Sequence, residues 1–460
     1  MSIGIRRPWE AADIAAVVAA FPPAPEYFES RWLEDREAIE ARQLARLRER
    51  ALAAARVPFF ADRFAAAGFE PRALRSLDDL SSAPTYDVED LRASIEAHPP
   101  WGTYQAFDPV EACREPQRVF MSGGTTGRAR PTLYTAWDRE VGSLLSARAL
   151  YLQGIRPGDV VLNTWSYGLH NGAHMFDDAL YRWLNCLVLT TSAGNVTSSE
   201  KQVRLALEYG ASAILGTGDY LLRLAEVARE MGIDPRRDLA LKALPNIGDR
   251  ALLEETFGAE CFESYGIHEV QWIAVECPAH DGLHVFEDAF VVQVVDPDTG
   301  EELPDGEQGS LVVTELYKTG NPQFRYSTLD LSYRYPVGRC ECGSWLRRIG
   351  RFSGRADNMV KLRGINVWPE ALGELALAVD GVADDYFVRA VRRNERDDLV
   401  VHVTSDRPVE EHEAVGVEVA GALQRAVGVV IAVEVVPRGE LDHWTEIATS
   451  PKPKRFRDER

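Results

Sequence analysis

At 460 residues the chain exceeds what one hydrophobic core comfortably serves, so two domains are expected. Its 45% hydrophobic and 27% charged content suits a globular protein, while 51 basic against 71 acidic residues, net charge -20, excludes a nucleic-acid backbone as its main partner. An anionic substrate needs a local basic pocket, and no apolar run approaches the length of a membrane span, so a membrane partner is not expected.

Lysine is rare. All but six of the 51 basic residues are arginine, and the six are Lys201, Lys242, Lys318, Lys361, Lys452 and Lys454. A lysine supplies a compact point charge that a guanidinium does not, so each of these positions is a candidate for a role that arginine cannot fill. Six cysteines in a chain this long (Cys113, Cys186, Cys261, Cys277, Cys340 and Cys342) do not make a disulfide scaffold, and a cytoplasmic location follows as the expectation.

In chain order, MSIGIRRPWEAADIAAVVAAF has Glu10 and Asp13 inside its apolar run, which predicts a short amphipathic helix rather than a secretory leader. Residues 30 to 56 place Ile39, Leu44, Leu47 and Leu52 near helical spacing without Gly or Pro, predicting one long helix. The aromatics of Val57 to Pro84 read as core. After a Gly-rich loop, residues 137 to 151 predict a helix and Val160 to Trp165 a buried strand. Leu187 to Asp234 then alternates strand, helix, strand, helix, as a largely parallel α/β sheet does. A β-rich stretch follows, with turns at PDTGE and PDGEQG, and the last hundred residues suit a small α+β unit.

The Gly-rich loop lies in VFMSGGTTGRARPTLYT. Ser122, Gly123, Gly124, Thr125, Thr126 and Gly127 precede Arg128 and Arg130, a run that makes a poor helix and a poor strand. As an anion cradle it is well made, because glycines let N–H groups converge on a phosphate while hydroxyls and arginines add hydrogen bonds. The alternative is a solvated turn, and GxxxxGK[ST] is not matched. Farther on, Cys277 and His284 in CPAHDGLH and Cys340 and Cys342 in RCECGS offer three thiolates and an imidazole, a zinc set in which His280 could replace His284. Four unrelated reduced side chains are the other reading.

The loop resembles SSGTTGKP of the adenylate-forming superfamily, which includes acyl-CoA synthetases and luciferase, and the wording along much of the chain resembles phenylacetate-CoA ligases. Similar cysteines occur in some of those ligases. The resemblance implies an α/β fold: a large N-terminal adenylate-forming domain with mixed and parallel sheets (1-356) and a small α+β C-terminal lid (357-460). It implies ATP, Mg²⁺ and coenzyme A as reactants or cofactors, an aromatic acid as substrate, and, because dimers are common among such ligases, a homodimer.

Residue by residue, Tyr265-Gly266-Ile267-His268-Glu269 resembles YGxTE, which implies adenine at Tyr265 and Gly266, phosphate at His268 and Mg²⁺ at Glu269, a hard carboxylate donor. His268 replaces a hydroxyl with a group whose charge ordinarily changes near neutral pH. Asp330, in a stretch resembling YRTRD, is implied as the ribose ligand. Arg355 and Asp357, in a segment resembling GRxDDxxxxRGxxVxP, are implied as a nucleotide arginine and the hinge, with Gly364 beside the pantetheine tunnel. PKPKR resembles GKxxR, so Lys452 is implied as the catalytic lysine beside Glu269 and Thr125, with Lys454 as its substitute. Tyr167, His170, Asn171 and Phe176 fall where relatives wall the acyl pocket, whereas His174 reads as structural. One departure is that Asn246-Ile247-Gly248-Asp249 stands where relatives have GAEP. Two further readings are an enzyme that hands its acyl group to a carrier protein or nitrogen nucleophile, and a non-catalytic nucleotide-binding scaffold.

Overall fold

The computed structural model describes residues 6–109, 115–122, 129–247, 250–358, 360–362, 365–393, 396–446 and 453–460. Gly123, Gly124, Thr125, Thr126, Gly127, Arg128, Gly248, Asp249, Gly364, Lys452 and Cys113 lie outside the described residues. The chain divides into two compact units, Met1–Thr328 with Tyr333–Arg351, and Leu329–Ser332 with Phe352–Arg460.

The first unit opens on two short helices, Pro8–Ala12 and Ile14–Ala20, where the sequence predicts one. Asp13 separates them: its backbone sits at φ 47, and its carboxylate accepts from the Ala16 N–H as cap of the second helix. The helix predicted over 30 to 56 is likewise shorter, Arg36–Ala54, because Asp35 caps it through the Ala38 N–H at 2.9 Å. Residues Arg31–Leu33 form a separate 3₁₀ turn. Phe59, Phe60, Phe64 and Phe69 are buried in one cluster with Tyr86, Tyr104 and Phe324.

Two strands, β1 (Gln117–Ser122) and β2 (Arg130–Thr135), pair antiparallel so that Ser122 stands opposite Arg130, and the Gly-rich loop joins these two ends. Thr135 caps the following helix Ala136–Leu152, accepting from the Asp138 N–H.

The main sheet then collects β3 (Val160–Asn163), β4 (Leu187–Thr190), β5 (Ala213–Thr217), β6 (Ala243–Ile247), β7 (Glu260–Ile267), β8 (Gln271–Glu276) and β9 (Leu283–Val285). After β10 (Phe290–Val295), β11 (Gln308–Glu315) and β12 (Tyr326–Tyr333), it is completed by β13 (Arg348–Ile349) in the order β13-β9-β8-β7-β6-β5-β3-β4. Strands β4, β3, β5, β6 and β7 run parallel and the others antiparallel. Every residue of β5 is buried, as a parallel strand covered on both faces requires. The helix Gly218–Glu230 contributes Leu221, Leu224, Ala225 and Ala228 to that cover.

In the second unit, β14 (Val360–Leu362) pairs with β15 (Ile365–Val367), and β16 (Tyr386–Arg393), β17 (Arg396–Ser405), β18 (Ala432–Pro437) and β19 (Phe456–Asp458) form a sheet ordered β18-β17-β16-β19. Helices Pro369–Leu377 and His412–Val427 pack their apolar sides into its core.

A buried ion pair fastens the N-terminal segment of the first unit. Arg148 is wholly buried, with Nη1 2.9 Å from Asp288 Oδ2, Nε donating to the Pro22 carbonyl at 2.8 Å, and its guanidinium 3.7 Å from the Tyr27 ring centroid. Replacing Asp288 by Ala would leave that charge buried and uncompensated, so Asp288→Ala is expected to destabilise the first unit by about 3–5 kcal/mol. Denaturant midpoints at neutral pH measure it, and a loss below about 1 kcal/mol would contradict the assignment.

Candidate active site

Three segments distant in sequence meet beside the ends of the Gly-rich loop. The β1/β2 hairpin holds Ser122 and Arg130, and the Met121 N–H donates to the Leu169 carbonyl at 2.8 Å, drawing in the stretch that carries Tyr167, His170 and Asn171. From β2, the Tyr134 hydroxyl donates to the carbonyl of Glu269 at 2.8 Å and also lies 3.1 Å from that of His268. The turn between β7 and β8 is therefore pinned by its main chain.

The tightness of that hairpin demands glycine at 266. A Cβ there would stand 2.4 Å from the Gln271 carbonyl oxygen, where the register shifts between Tyr265 and Gly266. Tyr265 is buried in the main core and donates to Thr328 Oγ1 at 3.2 Å. Glu269 is buried too, with Oε1 3.2 Å from Arg130 Nη2.

His268 departs from the expectation that its charge changes near neutral pH. Burial, opposed by Glu269 and by the Phe120 main chain but reinforced by Arg130 and Lys318, pushes its pKa down to about 4, so the ring is neutral at pH 7. Its ring lies 5.4 Å from that of His170.

The four acyl-wall candidates are brought to one region but differ in what they offer. His170 is exposed and stacked on Trp165 at 6.3 Å, while Phe176 is buried with its ring 4.6 Å from Trp272 and 5.7 Å from Trp165. The Tyr167 hydroxyl donates to Asp177 at 2.6 Å and accepts from Asn163 at 3.0 Å. Asn171 is buried, and its side-chain oxygen accepts from Arg139, which also pairs with Asp178. Tyr167 and Asn171 thus use polar groups to hold the wall together. His174 packs against Phe120 and Tyr167.

In the second unit Arg355 lies between two candidate carboxylates. Its Nη1 is 2.9 Å from Asp330 Oδ1, and its Nε and Nη2 meet the two oxygens of Asp357 at 2.8 Å each. Lys454 pairs with Glu446 in the same unit.

The cysteine set is assembled in the first unit. Cys277, His284, Cys340 and Cys342 place one ligand atom each within 4.8 Å of one another. Cys277 and Cys340 have their sulfurs 3.8 Å apart, and Cys342 Sγ lies 3.5 Å from His284 Nε2. Hydrogen bonding to Cys277 and His284 pulls the Cys342 thiol well below its ordinary value against the opposing effect of burial, while that same bond and burial push Cys277 up. His280, the alternative ligand, points elsewhere: its two ring nitrogens lie 3.2 Å from Glu276 and 3.2 Å from Glu260.

Sequence reasoning does not assign Lys318, which is fully buried with Nζ donating to the Glu269 carbonyl at 2.7 Å. The signal that could find it is the rarity of lysine in this chain.

Residues 364–460 match the family described as AMP-binding enzyme C-terminal domain. A phenylacetate-coenzyme A ligase of Thermus thermophilus is 33% identical over 432 residues, covering 88% of this chain and 94% of the relative. Another, from Pseudomonas putida, is 34% identical over 380 residues, covering 80% and 82%. A solved 2-hydroxyisobutyryl-CoA ligase in its postadenylation state, in complex with 2-HIB-AMP, matches with a TM-score of 0.84 at 26% identity, covering 95% of this chain and 94% of the other. Fold and C-terminal match together define an AMP-binding, adenylate-forming enzyme. Within that class the chain belongs to the phenylacetate-coenzyme A ligase family, and it is an acid-CoA ligase. Among the described residues, no helix is long and apolar enough to cross a membrane.

The His268 environment carries a stability prediction. Its folded pKa of about 4 lies below the usual value of 6.5, so between these pH values the unfolded chain binds the extra proton and stability is lost as pH falls. The melting temperature of the wild type relative to His268→Asn is expected to drop between pH 7 and pH 4.5. A pH-independent difference would refute the buried neutral imidazole.

Proposed function

We propose that this chain uses ATP to activate an aromatic (aryl or arylacetic) acid as its acyl-adenylate and passes the acyl group to coenzyme A. What carries the reading is the convergence, in one unit, of the loop ends Ser122 and Arg130, the His268–Glu269 turn, and an aromatic wall of Trp165, Phe176 and Trp272. Polar atoms await a ligand there: among the described residues, Ser122 Oγ and Arg130 Nε are buried without a hydrogen-bond partner. A phosphate is the group that would satisfy a hydroxyl and a guanidinium together.

In this reading the loop from Ser122 through Gly123, Gly124, Thr125, Thr126, Gly127 and Arg128 cradles the phosphates. Arg130 adds a charge-assisted contact, and neutral His268 donates or accepts one hydrogen bond in place of a hydroxyl. Tyr265 and Gly266 border the adenine, Asp330 takes the ribose hydroxyls and Arg355 reaches the nucleotide. Glu269, a buried carboxylate paired with Arg130, suits a hard cation. Bound Mg²⁺ would neutralise phosphate charge. His170 and Phe176 face the acid, with Tyr167 and Asn171 behind them. Lys452 bridges the acid carboxylate and the α-phosphate, and rotation at Asp357 admits coenzyme A. Before that rotation the acid's oxygen attacks the α-phosphorus and the bond to pyrophosphate breaks, with positioning and charge stabilisation carrying the step; after it the coenzyme A thiolate attacks the acyl carbon and AMP leaves.

The four-residue cluster supports a structural zinc ion. Ligands at tetrahedral corners, with Zn–S about 2.3 Å and Zn–N about 2.05 Å, stand about 3.8 Å apart for two sulfurs and about 3.6 Å for sulfur and nitrogen. Cys277 and Cys340 at 3.8 Å, and Cys342 and His284 at 3.5 Å, are close to those separations. The ion would staple the loop carrying Cys340 and Cys342 to β8 and β9.

The activity is tested by pyrophosphate exchange over a panel of aromatic acids, followed by mass spectrometry for the thioester with coenzyme A. Lys452→Ala is expected to lower exchange by about 100-fold or more, and near-normal exchange would remove Lys452 from the chemistry. Untreated protein is expected to contain one zinc per chain and to lose thermal stability on chelation or as Cys340→Ser. Zinc well below one per chain would count against the staple.

A further inference from the structure

We propose that Lys318 is a positioning residue for acid activation: with the Tyr134 hydroxyl it clamps the main-chain carbonyl of Glu269 and thereby sets the carboxylate that faces the metal and nucleotide. The inference rests on the reading that Glu269 serves Mg·ATP, and it concerns a residue that touches neither.

The burial of Lys318 is costly enough to require a reason. Its side chain is wholly inaccessible, and an ammonium in such a place is retained only where its hydrogen bonds and charge are answered. Here the compensation is specific. Nζ donates to the Glu269 carbonyl at 2.7 Å and lies 3.9 Å from the centroid of the Tyr134 ring, while the Tyr134 hydroxyl donates to the same carbonyl at 2.8 Å. Two donors from separate elements thus converge on one oxygen, which lies in the residue whose carboxylate meets Arg130.

Simple charge balance does not account for this geometry. Asp138 and Glu315 are the other buried carboxylates near the ammonium, but their oxygens are occupied by main-chain donors. Asp138 accepts from the N–H groups of Thr319 and Gly320, and Glu315 from those of Tyr317, Lys318 and Gln323. Arg50 faces the segment from the N-terminal side and donates to the Lys318 carbonyl rather than to a carboxylate. Burial lowers the amine's pKa to about 8, with Asp138, Glu315 and Glu269 opposing the shift, so at neutral pH the ammonium is charged.

Residue choice agrees. A guanidinium has five donors in a rigid fork, whereas an ammonium has three on a compact point charge, so fewer are left to satisfy beside one carbonyl and the Tyr134 ring. In a chain that otherwise favours arginine, lysine stands here.

The test compares Lys318→Met and Tyr134→Phe with the wild type, measuring Mg·ATP affinity by calorimetry, the KM for the acid in pyrophosphate exchange, and the melting temperature. Supporting partners of metal ligands typically change metal affinity by 10–100-fold, so Lys318→Met is expected to raise the Kd for Mg·ATP about tenfold or more while the KM for the acid stays within about twofold. Tyr134→Phe, which keeps the ring, should raise that Kd about threefold, consistent with one hydrogen bond. The double variant should change it by less than the product, because both groups act on one oxygen. Folded variants that bind Mg·ATP as the wild type does, or that lower acid and nucleotide affinity equally, overturn the proposal. Should Lys318→Met not fold, an unchanged Kd for Tyr134→Phe overturns it alone. Glu269→Gln separates the two levels: if it leaves Mg·ATP binding and exchange intact, the role given to Glu269 fails, whatever Lys318 does.

Discussion

The carbonyl oxygen of Glu269 is the junction on which the first unit's site depends. It receives a hydroxyl from β2 and an ammonium from the segment after β11, while its own residue sits in the turn between β7 and β8. A buried hydrogen bond contributes only about 0.5–1.5 kcal/mol net, so this arrangement adds little to global stability. Its effect is on placement. Leaving such a carbonyl unmet costs about 1–3 kcal/mol, enough to disfavour any alternative turn that would swing the carboxylate away from Arg130.

The same economy governs charge. In a protein of net charge -20 the buried or half-buried cations are held in fixed positions by specific partners. Where two oxygens must be met, arginine is used: Arg355 grips Asp357 with two nitrogens and reaches Asp330 with a third contact, and Arg148 spans Asp288 and a main-chain carbonyl. Where one oxygen must be met in a dry interior, the residue is Lys318. The distinction follows from fork against point charge.

Legibility in the sequence follows the range of the interactions concerned. Ser122 and Arg130 are readable as a pair because a hairpin places them across one short loop, and the alternation from Leu187 to Asp234 is readable because each strand and helix declares itself locally. Periodicity overstates helix limits wherever a side-chain cap intervenes, as Asp13 and Asp35 do. Spacing alone leaves His284 and His280 open as partners of the cysteines. The register of β9, with His284 opposite both Val275 and Arg348, turns one toward the sulfurs and leaves the other with Glu260 and Glu276. Lys318 is beyond reach except as a rarity, because its meaning lies in contacts with Tyr134 and Glu269 that only the folded chain makes.

His268 shows how a departure from a family pattern can keep its chemistry. A hydroxyl is neutral at every physiological pH and can both donate and accept, whereas a solvent-exposed imidazole would gain a proton in mildly acidic conditions. Burial beside Arg130 and Lys318 removes that difference by holding the ring neutral down to about pH 4. Arg130 and Lys318 therefore also keep the imidazole from charging, so the substitution is compatible with the proposed phosphate-facing role at neutral pH. The cost is transferred to stability at acid pH, where the ring must either stay neutral against its ordinary affinity for protons or break out of the turn that Tyr134 pins.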